Sequence, residues 1–340
     1  MNEEEPGVRD VVVVEAVRSA VGRRKGGLSG FHSSDLLGAV LAELVHRSGI
    51  DPAQVGQIIG GCGTQVGQQA GNITRTAWLG AGLPLTVAAT TVDAQCGSAQ
   101  QSVNLAASLV ASGVVDCAVG CGVEVMSGVP MGSNYGVPGT GKPYSAAYRE
   151  HYRPGTQFQG AELIAQQWGL TRDDVDAFAY ESQHRGGQAV EAGTFDAQIV
   201  ALDAPVLDEE GKPTGQTTRI ARDEGPRPTT REALAALKPV VREGDRVVPA
   251  GGVHTAGNSS QISDGAAAVL VMSADIAERA NLRARARIID ACLIGSDPTL
   301  MLTGPIDATR LLLDRAGLSV GDIDTFEINE AFASVVLAWQ

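Results

Sequence analysis

A chain of 340 residues, 44% of them hydrophobic, can bury one large α/β core or two smaller ones. Its formal net charge of −13 argues against a nucleic-acid partner, because phosphate binding needs a basic face. Forty-two glycines against 4% aromatic residues predict closely approaching backbones, which favours layered α/β over a β-sandwich. Met1–Glu5 is acidic, and no later run reaches the roughly 18 apolar residues that span a bilayer, so a cytoplasmic protein with no membrane span is expected. The cysteines Cys62, Cys96, Cys117, Cys121 and Cys292 form no pairwise framework and are expected as free thiols. Cys117 and Cys121 are not a CxxC pair and have no second ligand pair, so no metal site is expected and both are assigned to a core strand.

In chain order, residues 10–16 read as a buried β-branched strand and residues 34–48 repeat apolar side chains at helical spacing. Strands follow at 57–60 and 88–92. Residues 97–112 are rich in Ala, Ser and Leu with little charge on any face, the pattern of a buried helix. A strand at 114–119 closes a strand–helix–strand unit, which implies parallel pairing and a right-handed crossover. From 127 to 249 the texture shifts to Gly/Pro-rich stretches, helices at 160–168 and 172–192, and charged loops punctuated by proline. This reads as an inserted lid. Core texture returns with strands at 266–272, 286–294 and 325–328 and a helix at 306–316. The expected organisation is a first core half over 1–126, the lid over 127–249, a return to the first half over 250–284, and a second core half over 285–340. Two βα-rich halves around an insertion fit a duplicated α/β architecture, although no sequence repeat links them.

Three segments carry chemistry-bearing residues. VDAQCGSAQQ, from Val92, places Cys96 between an apolar strand and a helix, where unpaired N–H groups and the positive dipole end favour thiolate. One more packed thiol is the alternative. VHTAGNSSQISDGAAA, from Val253, is either a surface of small residues on which a ligand chain lies against backbone or an ordinary turn-rich loop. EINEAFA, from Glu327, sets Asn329 and Glu330 directly after a strand, where ligand sites of open α/β sheets gather; the Asn holds a water or caps the next helix. Gly61, Gly63 and Gly67 lack the GxGxxG spacing of a dinucleotide site.

In order and separation these segments resemble the nucleophilic-cysteine loop, the TAGNxS motif and the NEAF motif of the thiolase family. The resemblance extends to VEAVRSAVGRRKGGL, GNITRTAWLGAGLP, ESQHR and DGAAAVLVMS, nearly the whole chain. VDAQCGSAQQ with GGVHTAGNSSQISDGAAAV further resembles the actinobacterial branch that acts on steroid side-chain CoA esters. The resemblance implies duplicated βα layers (α-β-α-β-α) with an inserted lid. It implies an acyltransferase in which Cys96 takes the acyl group and its N–H contributes to an oxyanion hole, while Asn329 positions the water of a second one. Ala256 and Ser260 would lie along the pantetheine arm, and Arg227 resembles the lid arginine that meets the CoA nucleotide. It implies acyl-CoA and coenzyme A as substrates, no permanently bound cofactor, and a homodimer or homotetramer. Ala99 stands where the family often has glycine. The family continues past NEAF to a GHP motif, whose histidine activates the nucleophile, and a CxGG motif, whose cysteine is an acid/base. Neither string occurs here. His254 and Cys292 match neither by position, so an incomplete second half and turnover near background are expected. A CoA-ester-binding or partner protein is the alternative function.

Overall fold

Four consecutive valines open β1 (Val11–Ser19), and β-branched runs of this kind favour a pleated, buried surface. The computed structural model describes residues 8–340, so the acidic Met1–Glu5 lies outside the described residues. The chain divides into two units. One runs to Gly139 and adds Thr194–Gly225 and Ile262–Ala291; the other comprises Thr140–Gly193, Pro226–Gln261 and Cys292–Gln340.

In the first unit β1 is followed by β2 (Gly22–Arg23), α1 (Ser33–Ser48), β3 (Gln57–Gly61), α2 (Ile73–Gly80), β4 (Ala88–Val92), α3 (Ser98–Ala111) and β5 (Cys117–Val125). The second unit then contributes α4 (Ala146–His151), α5 (Gln157–Gln167) and α6 (Arg172–Glu191). The chain returns to the first unit for β6 (Ile199–Val200) and the hairpin β7 (Leu202–Leu207) and β8 (Pro213–Ile220). After α7 (Arg231–Ala235) in the second unit come β9 (Ser263–Ser273), α8 (Ala274–Arg279) and β10 (Ala286–Ile288) in the first. The second unit ends with α9 (Gly304–Ala316) and α10 (Ala333–Trp339).

The main sheet of the first unit has the order β10-β1-β9-β5-β3-β4. β3 pairs in parallel with both β4 and β5, whereas β9 runs antiparallel to β5 and β1. The strands flanking α3 thus share a direction as expected, with β3 between them. The closing strand is Cys117–Val125 and not 114–119: Gly113, at φ 74°, ends the helix, and Gly120 and Gly122 interrupt the β-branched pattern on which a strand is recognised. Those glycines answer a steric demand. A Cβ on Gly120 would stand 2.6 Å from the Val103 Cα of α3. Cys117 and Cys121 are buried in β5. α3 is not buried all round; it buries Ser98, Ser102, Ala106, Ala107 and Val110 and leaves Gln100 and Ser108 exposed, because a helix lying on an open sheet covers only one stripe.

In the second unit Thr156 and Thr171 start α5 and α6 with capping boxes closed by Gln159 and Asp174. Ala161, Ile164, Phe332 and Val335 form the core of this unit, with Phe158 set edge-on to Phe332. Only Ala286–Ile288 of the expected strand 286–294 pairs, with β1, and residues 325–328 form no strand. A strand exists only within a ladder, and these residues have no laddered neighbour among those described. Among the described residues no helix is long and apolar enough to cross a membrane, and no His/Cys/Asp/Glu group suited to a metal ion occurs.

Candidate active site

In the first unit, the turn between β4 and α3 is set by side chains of its own sequence. Gln95 takes a left-handed backbone at φ 53°, a conformation that costs a non-glycine residue about 1 kcal/mol or more. The Asp93 carboxylate accepts from the Gln95 N–H at 2.7 Å. Ser98 Oγ accepts from the Ala94 N–H at 2.9 Å and donates to the Gln95 carbonyl at 2.6 Å. Gly97 is the N-cap of α3, so Cys96 stands one residue outside the helix, at its positive dipole end, with its side chain exposed. The methyl of Ala99 is directed to β5, where a Cβ on Gly122 would meet it at 2.6 Å.

The other thiols of this unit are different. Burial pushes the thiols of Cys62, Cys117 and Cys121 up to about 12; Glu124 adds to the effect at Cys62 and Asp116 at Cys117. Cys292, in the second unit, is half-buried.

In the second unit the TAGN and NEAF segments lie side by side. The Ser260 N–H donates to the Ala331 carbonyl at 2.9 Å, and the Ala333 N–H donates to the Asn258 carbonyl at 3.1 Å. Ser259 and Phe332 form an antiparallel bridge. This pairing brings Ala256, Ser260, Asn329 and Glu330 onto neighbouring segments, and all four are exposed. Glu330 accepts from the Ser182 hydroxyl on α6 at 2.6 Å. Arg227 is exposed; its guanidinium donates to the Ala256 carbonyl at 3.4 Å, and its N–H donates to the Gln183 side chain at 3.0 Å.

Behind this exposed face the polar groups are buried and paired. The Asn258 side chain accepts from the Thr255 N–H at 2.8 Å and donates to Asp176 at 2.7 Å, while Asp176 pairs with Arg172 at 2.6 Å. Glu162 accepts from the N–H groups of Val253 and His254, each at 2.8 Å, and its Oε1 lies 3.1 Å from His254 Nδ1. Burial raises the Glu162 pKa, but the His254 imidazole and the two N–H groups outweigh it and hold the carboxyl below its usual range. His254 has no exposed surface, so it is placed as a partner of Glu162 and does not face solvent.

Sequence reasoning missed Glu162, Asp176 and Ser98. A signal existed for Glu162, a lone acid among Phe158, Ala161 and Ile164 at helical spacing, the face that forms the core.

An exposed cysteine on a strained strand-to-helix turn places the first unit among α/β folds able to carry a nucleophilic thiol. Residues 11–275 match the profile described as "Thiolase, N-terminal domain", and residues 282–340 that described as "Thiolase, C-terminal domain". The chain belongs to the thiolase family, whose members are acyltransferases that bind CoA esters. It is 42% identical over 337 residues to the steroid 3-ketoacyl-CoA thiolase FadA6 of Mycobacterium tuberculosis, across 97% of this chain and 78% of the relative. It is 37% identical over 345 residues to a beta-ketoadipyl-CoA thiolase of Acinetobacter baylyi, across 97% and 83%. The crystal structure of the Bacillus anthracis acetyl-CoA acetyltransferase matches with a TM-score of 0.82 at 32% identity, across 98% of this chain and 83% of that one. The fold is accordingly the mixed α/β thiolase fold.

Proposed function

We propose that the chain cleaves a 3-ketoacyl-CoA with coenzyme A, or runs the reverse condensation, through an acyl group carried on Cys96. The Cys96 sulfur attacks the ketone carbon, the bond between that carbon and its neighbour on the thioester side breaks, and the electron pair leaves as the enolate of acetyl-CoA. Protonation of the enolate releases acetyl-CoA, and the thiol of a second CoA takes the acyl group from sulfur, giving ping-pong kinetics. Asn329 fits the role of holding a water against the enolate oxygen, and the Cys96 N–H that of an oxyanion donor. Arg227, Ala256 and Ser260 fit the CoA arm, with the guanidinium suited to phosphate. The likeness to a steroid thiolase favours an acyl group with a fused-ring body. Coenzyme A enters as substrate, no bound cofactor is required, and a homo-oligomer in the cytoplasm fits the family.

The observation that carries this reading is the contrast among thiols: Cys96 is exposed on a strained turn at a helix start, and three others are buried with raised pKa. Incubation with a 3-ketoacyl-CoA followed by intact-mass and peptide analysis should find the acyl group on Cys96. An adduct on Cys292 would move the nucleophile away from Cys96, and CoA binding with no acyl transfer would replace acyl transfer with CoA-ester binding.

A further inference from the structure

We infer that Glu162 and His254 are positioning residues, a buried pair that clamps the TAGN loop against the NEAF segment and so fixes Ala256, Ser260 and Asn329. The inference rests on the CoA-binding reading of those three residues. Glu162 is 2% exposed and His254 0%, so neither touches a ligand directly. The carboxylate uses both oxygens on the loop, accepting from the Val253 and His254 N–H groups. Gly252 leaves it room, since a Cβ there would collide with the carboxylate.

His254 carries the constraint onward. Its ring stands edge-on to Phe332 with centroids 5.4 Å apart, and Phe332 is the residue that bridges to Ser259. Nδ1 lies 3.1 Å from the Glu162 Oε1, and neither ring nitrogen, both buried, has a hydrogen-bonding partner among the described residues. A packing residue would be better served by an apolar side chain, because a buried ion pair seldom adds stability over a well-packed hydrophobic one. The polar pair at this position therefore points to orientation of the loop, and not to stability beyond what an apolar pair would give, as its contribution.

The two contributions separate in a pair of variants of the whole chain. His254→Leu keeps bulk against Phe332 and removes the polar Nδ1 edge beside the carboxylate. His254→Asn keeps a polar group close to the Nδ1 position and loses bulk. Three readouts apply: the thermal midpoint, amide hydrogen exchange over 253–260 and 329–333, and CoA affinity by calorimetry. His254→Leu leaves the buried Glu162 carboxylate without its partner and so should melt earlier, and it should also exchange about tenfold faster in both segments and bind CoA about tenfold more weakly. His254→Asn should melt earlier and exchange faster over 329–333, where the ring contact with Phe332 is lost, yet keep wild-type exchange over 253–260. Wild-type behaviour of both segments in His254→Leu, or exchange over 253–260 that follows the midpoint in both variants, would overturn the inference. If either variant fails to fold, Glu162→Gln supplies the test, since its amide group opposes one loop N–H; unchanged exchange there would also reject the clamp. Faster exchange in a chain whose wild type binds no CoA would leave the clamp standing and remove the CoA reading instead.

Discussion

Gly61 of β3 lies so close to Ser98 of α3 that a Cβ on the glycine would fall inside the contact distance of the Ser98 carbonyl and the Ala99 nitrogen. Ser98 is also the residue whose hydroxyl ties the turn carrying Cys96. Gly61→Ala should therefore destabilise the protein by about 1–3 kcal/mol through overpacking. It should also change the alkylation rate of Cys96, because α3 must shift at its first turn. Denaturant unfolding and timed iodoacetamide labelling measure the two effects. Labelling at the wild-type rate in a destabilised variant would detach the turn from this contact.

Among the thiols, substoichiometric iodoacetamide should label Cys96 first, ahead of half-buried Cys292 and far ahead of Cys62, Cys117 and Cys121, whose pKa near 12 keeps them protonated at neutral pH. Cys96→Ser should fold normally, changing stability by about 0.5 kcal/mol or less, as expected at an exposed site. It should also lose any acyl-enzyme in intact-mass spectra, since a hydroxyl is the weaker nucleophile. Label appearing first on Cys62 or Cys292 would count against the assignment.

How far these features could be read from sequence varied with their range. Strands and helices with an unbroken local pattern, such as the valines of β1 and the Leu36, Leu37, Val40, Leu41, Leu44 stripe of α1, were legible, as was the order of the three motifs. β5 was misplaced because Gly120 and Gly122 serve the packing of α3, a demand invisible to strand propensity. Gln95 gave no warning of its left-handed backbone, since glutamine is not a residue that signals one. The Glu162–His254 pair joins positions 92 residues apart along the chain, and no local pattern marks such a partner. Cys96 and Asn329 were named from their motifs, while the groups that hold their surroundings in place emerged only from the fold.

Arg227 offers a test of CoA recognition that leaves the fold almost untouched, because its side chain is exposed and its one recorded side-chain bond, to the Ala256 carbonyl, is long at 3.4 Å. Arg227→Ala should weaken CoA binding by about 1–3 kcal/mol if a charge-assisted phosphate contact is lost. The loss should shrink for dephospho-CoA if the 3′-phosphate is the partner. Calorimetry with both ligands decides it, and equal affinity in wild type and variant would reject the role.

The acid dependence of stability provides a test of the Glu162 environment. The folded state holds this carboxyl below its usual range, so the unfolded chain binds more protons than the folded one between the folded pKa and about 4.3, the unperturbed glutamate value. Stability then rises with pH across that window. The contribution is fully present above the unfolded value and is lost as pH falls through the folded one. Glu162→Gln cannot titrate there. At pH 7 it should be less stable than wild type by about 3 kcal/mol, the range for breaking a buried pair. Urea unfolding of both proteins at several pH values should show the gap narrowing as pH falls below about 4.3, where the wild-type carboxyl takes up its proton. Asp223, whose carboxyl is also held low, burial opposing and Arg18 prevailing, belongs to the first unit and titrates in both proteins, so it cancels in the difference. A gap that stays constant from pH 7 to pH 3 would mean that Glu162 is not held in its charged form in the folded protein.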